Sequence, residues 1–232
     1  MFKELLSLFR SSDSITSMAA NFSEMLGVAR EITVSAGEIF FGEAAESDHL
    51  EISKRDVAIN KLERQIRKQV TAHLTLNASG GDVPYSLVLM SIVKDVERIG
   101  DYAKNLAEVH HEGGAPVPDD PLGAELRSLR AIVEEMFGQV SEVFATSNAS
   151  QASAMIERGR DVNRRCDELI AKIARSDYNA ATTMSMVLGA RYYKRIDSHL
   201  LNVLSSVVMP LHKLDYYDER PHDSDTDADD DS

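Results

Sequence analysis

Six long stretches of this chain place apolar or small residues at alternating steps of three and four, with few glycines or prolines to interrupt them. Such a spacing lays one apolar stripe along an α-helix and suits nothing extended, so the chain is confined to packed amphipathic helices. The first stripe runs through Ile15, Met18, Phe22, Met25, Ala29, Ile32, Ala36 and Ile39. The second holds Ile59, Leu62, Ile66 and Val70, and the third Leu89, Ile92, Val96, Ile99, Ala103 and Leu106, with the turn NASGGDVP (77–84) between them. After HHEGGAPVPDDP the pattern restarts with Asp120 as an N-cap and Pro121 at the first helical position. The fourth stripe is Leu126, Leu129, Val133, Met136, Val140 and Val143, closed by TSNAS (146–150). The fifth is Met155, Val162, Cys166, Leu169 and Ile173; the sixth, opened by Asn179, is Met186, Tyr193, Ile196, Leu200, Val203 and Val207. Helices approaching 30 residues would be about 45 Å long and would form elongated bundles with near-parallel axes.

A shift of 97 positions lays the third stripe on the sixth: Leu89 on Met186, Val96 on Tyr193, Ile99 on Ile196, Ala103 on Leu200 and Leu106 on Val203. Arg98 and Asn105 also fall on Arg195 and Asn202, which points to an internal duplication. The expected fold is therefore all-α, two tandem three-helix bundles. Their expected bounds are 13–112 and 119–214, with a short amphipathic segment at 1–12 and an acidic, disordered tail at 215–232. Segment 1–12 presents Phe2, Leu5, Leu6 and Phe9 on one side and is expected to dock on the bundle itself.

With 232 residues, 43% of them hydrophobic, the chain can bury a sizeable core. Its single cysteine, Cys166, allows no internal disulfide and fits a reducing compartment; it lies on the fifth stripe, as a core residue would. The tail carries eight Asp and one Glu against one Arg, a net of −8 out of a total of −13. The body is thus mildly acidic, and without a concentrated basic face no nucleic-acid partner is expected. No signal peptide or membrane span is expected either, so the cytoplasm is the default compartment. Neither a phosphate-binding glycine loop nor a Ser or Cys nucleophile motif is present, so hydrolysis and acyl transfer have no support.

The third helix contains KDVERIGDYAKN (94–105), which sets Glu97 and Asp101 one turn apart. Like charges at this spacing cost roughly 0.2–0.5 kcal/mol, so cations or a bound partner must offset them. With the apolar stripe inward, Glu97, Asp101, Asn105 and Glu108 form a polar ridge. A hairpin about residues 80–81 would bring Glu97 near Arg64 and Glu63, and Asp101 near Asn60; Asp56, Asn60 and Glu63 share a face of the second helix. Glu97, Asp101, Asp56, Asn60, Glu63 and Glu108 are therefore candidate oxygen ligands for a hard or borderline cation. Alternatively, Lys94, Arg98, Lys104, Arg64 and Arg67 neutralise the acids on an ordinary solvated face.

The stretch DVERIGDYAKNLAE (95–108) resembles the helix signature of the PhoU family, with Glu97 and Asp101 as its E-x-x-x-D pair. The resemblance implies duplicated three-helix units over about residues 13–214. It further implies a cytoplasmic, non-enzymatic regulator of phosphate uptake and phosphate-starvation signalling that contacts a phosphate transporter and a sensor histidine kinase. Such a protein would meet the membrane only through its partner. Some members bind metal through the E-x-x-x-D carboxylates, so Fe, Mn, Mg or Zn is a candidate cofactor. The second half departs from the signature: YYKRIDSHLLN (192–202) puts Lys194 at the glutamate and Ser198 at the second acid. Asp197 is about 100° out of phase, so any metal is expected in the first unit, with Asp197 and His199 as poor substitutes.

Two other classes stay open, a carboxylate bundle with oxidase or storage activity and a metal-free interaction protein. The first needs two Glu-x-x-His elements, and only Glu46 with His49 has that spacing. His110 and His111, beside EGG, are expected to cap the third helix rather than bind metal. Long amphipathic helices make a homodimer plausible.

Overall fold

The computed structural model describes residues 14–44, 49–76 and 82–214, the side chain of His49 excepted. Among them are six α-helices and no strand: α1 Ser14–Phe40, α2 His49–Leu76, α3 Val83–Glu108, α4 Pro121–Thr146, α5 Ala149–Ile173 and α6 Ala180–Val208. A 3-10 turn, Leu211–Lys213, follows and rests against α3. Segment 1–12, most of the 77–84 turn and the 215–232 tail lie outside the described residues.

The helix starts follow from local chemistry. Asp120 accepts hydrogen bonds from the Leu122 and Gly123 amides at 3.0 and 2.9 Å, satisfying donors that the first turn of α4 leaves open. Asn148 caps α5 through the Gln151 amide at 3.1 Å, and Asn179 caps α6 through the Thr182 amide at 2.9 Å. Between α4 and α5, Ser147 adopts φ 49°, a left-handed conformation that ends one helix before the next begins.

Helices α1–α3 pack against one another, as do α4–α6, which gives the expected pair of three-helix sets. The sets share a core: Phe22, Ile59, Ile99, Met136, Val162 and Ile196 belong to one continuous buried cluster. Two helix pairs form most of the joint between them. One is α1 with α4, where the Phe22 and Phe144 rings lie 4.8 Å apart. The other is α3 with α6. All ten positions matched by the 97-residue shift in the apolar stripes are fully buried.

The remaining helices correspond at shifts of their own. Moving 104 positions carries Phe22, Met25, Ala29, Ile32 and Ala36 onto Leu126, Leu129, Val133, Met136 and Val140. Moving 103 carries Ile52, Ile59, Ile66 and Val70 onto Met155, Val162, Leu169 and Ile173. All of these are buried, so the duplication extends to every helix.

Candidate functional site: the acid ridge and the seam between the units

The α2–α3 hairpin puts Asp56 opposite the Glu97–Asp101 turn. Asp56 is buried, 7% exposed, because Gly100 lies across from it. A Cβ at Gly100 would come within 2.9 Å of Ile59 Cδ1 and 3.4 Å of Asp56 Oδ1, so the glycine of the ERIGD motif is what allows α2 to approach. Burial pushes the Asp56 carboxyl above its ordinary range; Lys104 opposes this, while Asp101 and Glu97 add to it. Asp56, Glu97 and Asp101 therefore share one electrostatic neighbourhood.

Cations stand in that neighbourhood. Lys94 donates to Glu97 Oε2 at 2.7 Å, and Lys104 Nζ lies 3.9 Å from Asp56 Oδ2. Asn60 donates to the same Asp56 oxygen at 3.3 Å, and Glu63 is held by Arg67 at 3.0 Å. Asp56 Oδ1 is buried without a hydrogen-bond partner. Glu108 acts elsewhere: with Glu112 it raises the Tyr192 hydroxyl on α6, after burial. Among the described residues no three His, Cys, Asp or Glu side chains come together to hold a metal ion. Asp56, Asn60, Glu97 and Asp101 are thus brought to one place, whereas Glu63 and Glu108 turn to other partners.

In the second unit an ion pair takes the place of this group. Lys194, at the Glu97 position, donates to both oxygens of Asp167 at 2.6 Å. Ser198, at the Asp101 position, turns back to the Lys194 carbonyl at 2.9 Å. Asp197 is fully buried with both oxygens unpartnered, and burial pushes its carboxyl from an ordinary 3.8 to about 7. It occupies the Gly100 position, and Gly159 occupies the Asp56 position, so the acid and the glycine have exchanged helices. A Cβ at Gly159 would lie 3.0 Å from Asp197 Oδ2.

The Glu46–His49 spacing falls outside the described side chains. His110 does cap a helix, but α1 rather than α3: its Nε2 lies 2.8 Å from the Phe40 carbonyl oxygen, its Nδ1 3.1 Å from that of Gly114, and its ring stacks on Phe40. Cys166 is buried, and burial pushes its thiol to about 12, so no thiolate is available as a nucleophile.

The sequence did not single out the seam between α3 and α6. Asp95 Oδ1 accepts from His199 Nδ1 at 2.8 Å and from Asn202 Nδ2 at 2.7 Å. Tyr102 stacks on His199 with centroids 5.7 Å apart and meets Tyr192 at 6.3 Å. Asp95 lies three residues after Ile92 and four before Ile99, so its phase already set it at the edge of the buried stripe. Moving 97 positions turns the Asp95–His199 contact into Tyr192–Tyr102, so the seam has approximate two-fold symmetry with one polar and one aromatic arm. A second cluster sits where α1, α4 and α6 meet, with Arg130 bound to Glu134 at 2.8 Å and Glu43 at 2.9 Å and resting over the Phe41 ring.

A duplicated three-helix bundle, closed along its third helices and carrying an acidic E-x-x-x-D turn in one copy, defines a tandem-repeat all-helical protein. The PhoU domain model matches residues 22–109 and 126–207, one copy in each unit, and the chain belongs to the PhoU family. It is similar to a phosphate-specific transport system accessory protein PhoU homolog of Synechocystis sp. (strain ATCC 27184 / PCC 6803 / Kazusa), 28% identical over 163 residues, 68% of this chain and 72% of that protein. A protein of the same description from Rhizobium meliloti (strain 1021) is 22% identical over 212 residues, 89% of each chain. Among solved structures, PhoU from Pseudomonas aeruginosa superposes with a TM-score of 0.75 at 20% identity, covering 84% of this chain and 95% of that one. The phosphate transport system regulatory protein PhoU from Streptococcus pneumoniae gives 0.70 at 16% identity, covering 84% and 94%. No described helix is long and apolar enough to cross a membrane.

Proposed function

We propose that this chain is a non-enzymatic accessory regulator of a phosphate transport system, working in the cytoplasm through contacts of its helices with a transporter component or a sensor kinase. The observation that carries this is the match of both units to the PhoU domain, together with relatives described as accessory proteins of phosphate-specific transport over as much as 89% of the chain. The test is phosphate uptake in cells lacking the gene, with cross-linking capture from their membranes. Altered uptake restored by the wild-type gene, with a phosphate-transport or sensor component captured, supports the proposal; unchanged uptake and capture of neither overturns it.

For the acid ridge, the placement of Lys94 and Lys104 favours a salt-bridged surface. Metal binding is a second reading, supported by the open Asp56 Oδ1 beside Glu97 and Asp101. Elemental analysis of protein purified without chelator, beside a folded Glu97→Ala/Asp101→Ala variant, separates the two. Integral Fe, Mn, Mg or Zn lost in the variant supports the metal, and two metal-free, equally stable proteins support the salt bridges.

A further inference from the structure

Asp197 is a carboxyl that no other described side chain answers. It is fully buried on α6, and neither of its oxygens has a hydrogen-bond partner. The acid exchanged for it in the first unit, Asp56, has Asn60 and Lys104 beside it. The charged and titratable groups around α6 are engaged elsewhere. On α5, Asp167 is bound to Lys194 and Arg165 to Glu125, and the Cys166 thiol is neutral. On α4, Arg130 and Glu134 bind each other beside Tyr193; on α3, Asp95 is bound to His199. Burial is what raises the Asp197 carboxyl, and no described cation offsets it.

The acid lies where α5 meets α6. Gly159 has no side chain there, and a Cβ would come within 3.0 Å of Asp197 Oδ2 and 2.5 Å of Leu201 Cδ2, so α5 rests directly on the carboxyl. Cys166 lies about two turns further along the same buried stripe of α5, and the Asp197 charge acts on its thiol. Helix α5 packs mainly on α4 and α6 and takes no part in the α1–α4 or α3–α6 joints. Arg158 and Arg165 tie it to Glu135 and Glu125 of α4. Its polar ties to α6, among the described residues, are the pair of Asp167 with Lys194 and a 3.4 Å contact of Asn163 with Ser198. Helix α5 can therefore lift from α6 along one edge while α4 holds the other.

We propose that Asp197 is a proton-operated latch: with its proton on, α5 stays closed on α6, and loss of the proton shifts α5 towards an open form in which Asp197 and Cys166 meet water. A carboxylate held in the closed contact without a donor forfeits its hydration, and the open form restores it. Because the carboxyl is raised from 3.8 to about 7 in the closed form, the opening equilibrium climbs as pH rises between those values and levels off above them. The climb is roughly tenfold per pH unit within the window, or roughly fiftyfold from pH 5 to pH 7. The latch goes beyond the transport role proposed above and holds or fails independently of it.

The test combines two measurements on the full chain. The first is hydrogen–deuterium exchange of the wild type at pH 5 and pH 7, read by peptide mass spectrometry with exposure times scaled to the chemical exchange rate. Peptides from α5 should exchange ahead of those from α1 and α3 at pH 7, and after scaling should exchange roughly fiftyfold faster there than at pH 5. If α5 exchanges no sooner than α1 and α3, it opens only when the whole chain unfolds, and the proposal is overturned. Exchange of α5 that does not accelerate overturns it as well.

The second measurement is modification of Cys166, the single cysteine, by a methanethiosulfonate reagent in the wild type and in Asp197→Asn. The ratio of the two rates cancels the ionisation of the thiol itself. It should rise roughly fiftyfold from pH 5 to pH 7, because the amide has no proton to lose in this range. A flat ratio overturns the latch. If Asp197→Asn does not fold, the exchange result on the wild type decides alone.

Discussion

Asp95 on α3 and His199 on α6 meet at 2.8 Å across the boundary between the two units, and Asn202 shares the same carboxylate oxygen. The side chains of Asp95 and His199 are only 10% and 20% exposed, so the contact is shielded from water. His199→Ala should destabilise the protein by about 1–3 kcal/mol, because Asp95 loses a buried partner. A double-mutant cycle with Asp95→Ala should give a coupling of about 0.5–3 kcal/mol in urea melts, and additive losses would show that the contact contributes nothing.

Asp197 sets a pH dependence of known sign. Its carboxyl is raised from 3.8 to about 7 in the fold, so between those values the folded protein holds a proton that the unfolded chain releases. Stability from this group is full in acid, falls as pH rises through the window, and is flat above it; the loss is on the order of 4 kcal/mol. Asp197→Asn should abolish this component, so the variant gains stability relative to wild type as pH rises from 4 to 7.5. Parallel stability curves for the two proteins would contradict it.

Three helical glycines should respond differently to alanine. A Cβ at Gly27 meets nothing within 4 Å, and Gly27→Ala should stabilise by about 0.5–1 kcal/mol through helix propensity. At Gly159 the Cβ would lie 2.5 Å from Leu201 Cδ2, and at Gly189 2.5 Å from Phe40 Cζ. Each of those substitutions should cost about 1–3 kcal/mol by overpacking, measured as a lower denaturant midpoint.

The first-unit acids should reveal their coupling in a carboxyl-carbon NMR titration of Asp56. Its carboxyl is raised by burial and further by Asp101 and Glu97, and held down by Lys104. Asp101→Asn should therefore move its titration to lower pH, and Lys104→Met to higher pH. Insensitivity to both would show that the three carboxylates do not form a group.

Periodicity was enough to read the helices, because each stripe had to face a core and the phase of burial follows residue spacing. Asp120 and Asn179 were legible as caps for a similarly local reason: a side chain that closes its own first turn needs no information from elsewhere in the fold. The site was only half legible. Spacing gathered Glu97 with Asp101 and Asp56 with Asn60, but whether Glu63 joined them depended on Arg67 of its own helix. Asp95 stayed hidden because its partners, His199 and Asn202, lie 104 and 107 residues away. No local pattern encodes a contact between helices whose relative placement is itself set by packing.

A two-fold seam between separate copies of one chain must repeat every contact, so an Asp facing a His on one arm would have to face a His on the other. Here the equivalent arm is Tyr192 on Tyr102, a pairing with no charge and no shared proton. Joining the copies in one polypeptide frees each arm to carry its own chemistry. A substitution at Asp95 alters one side of the joint only, which two identical subunits could never arrange.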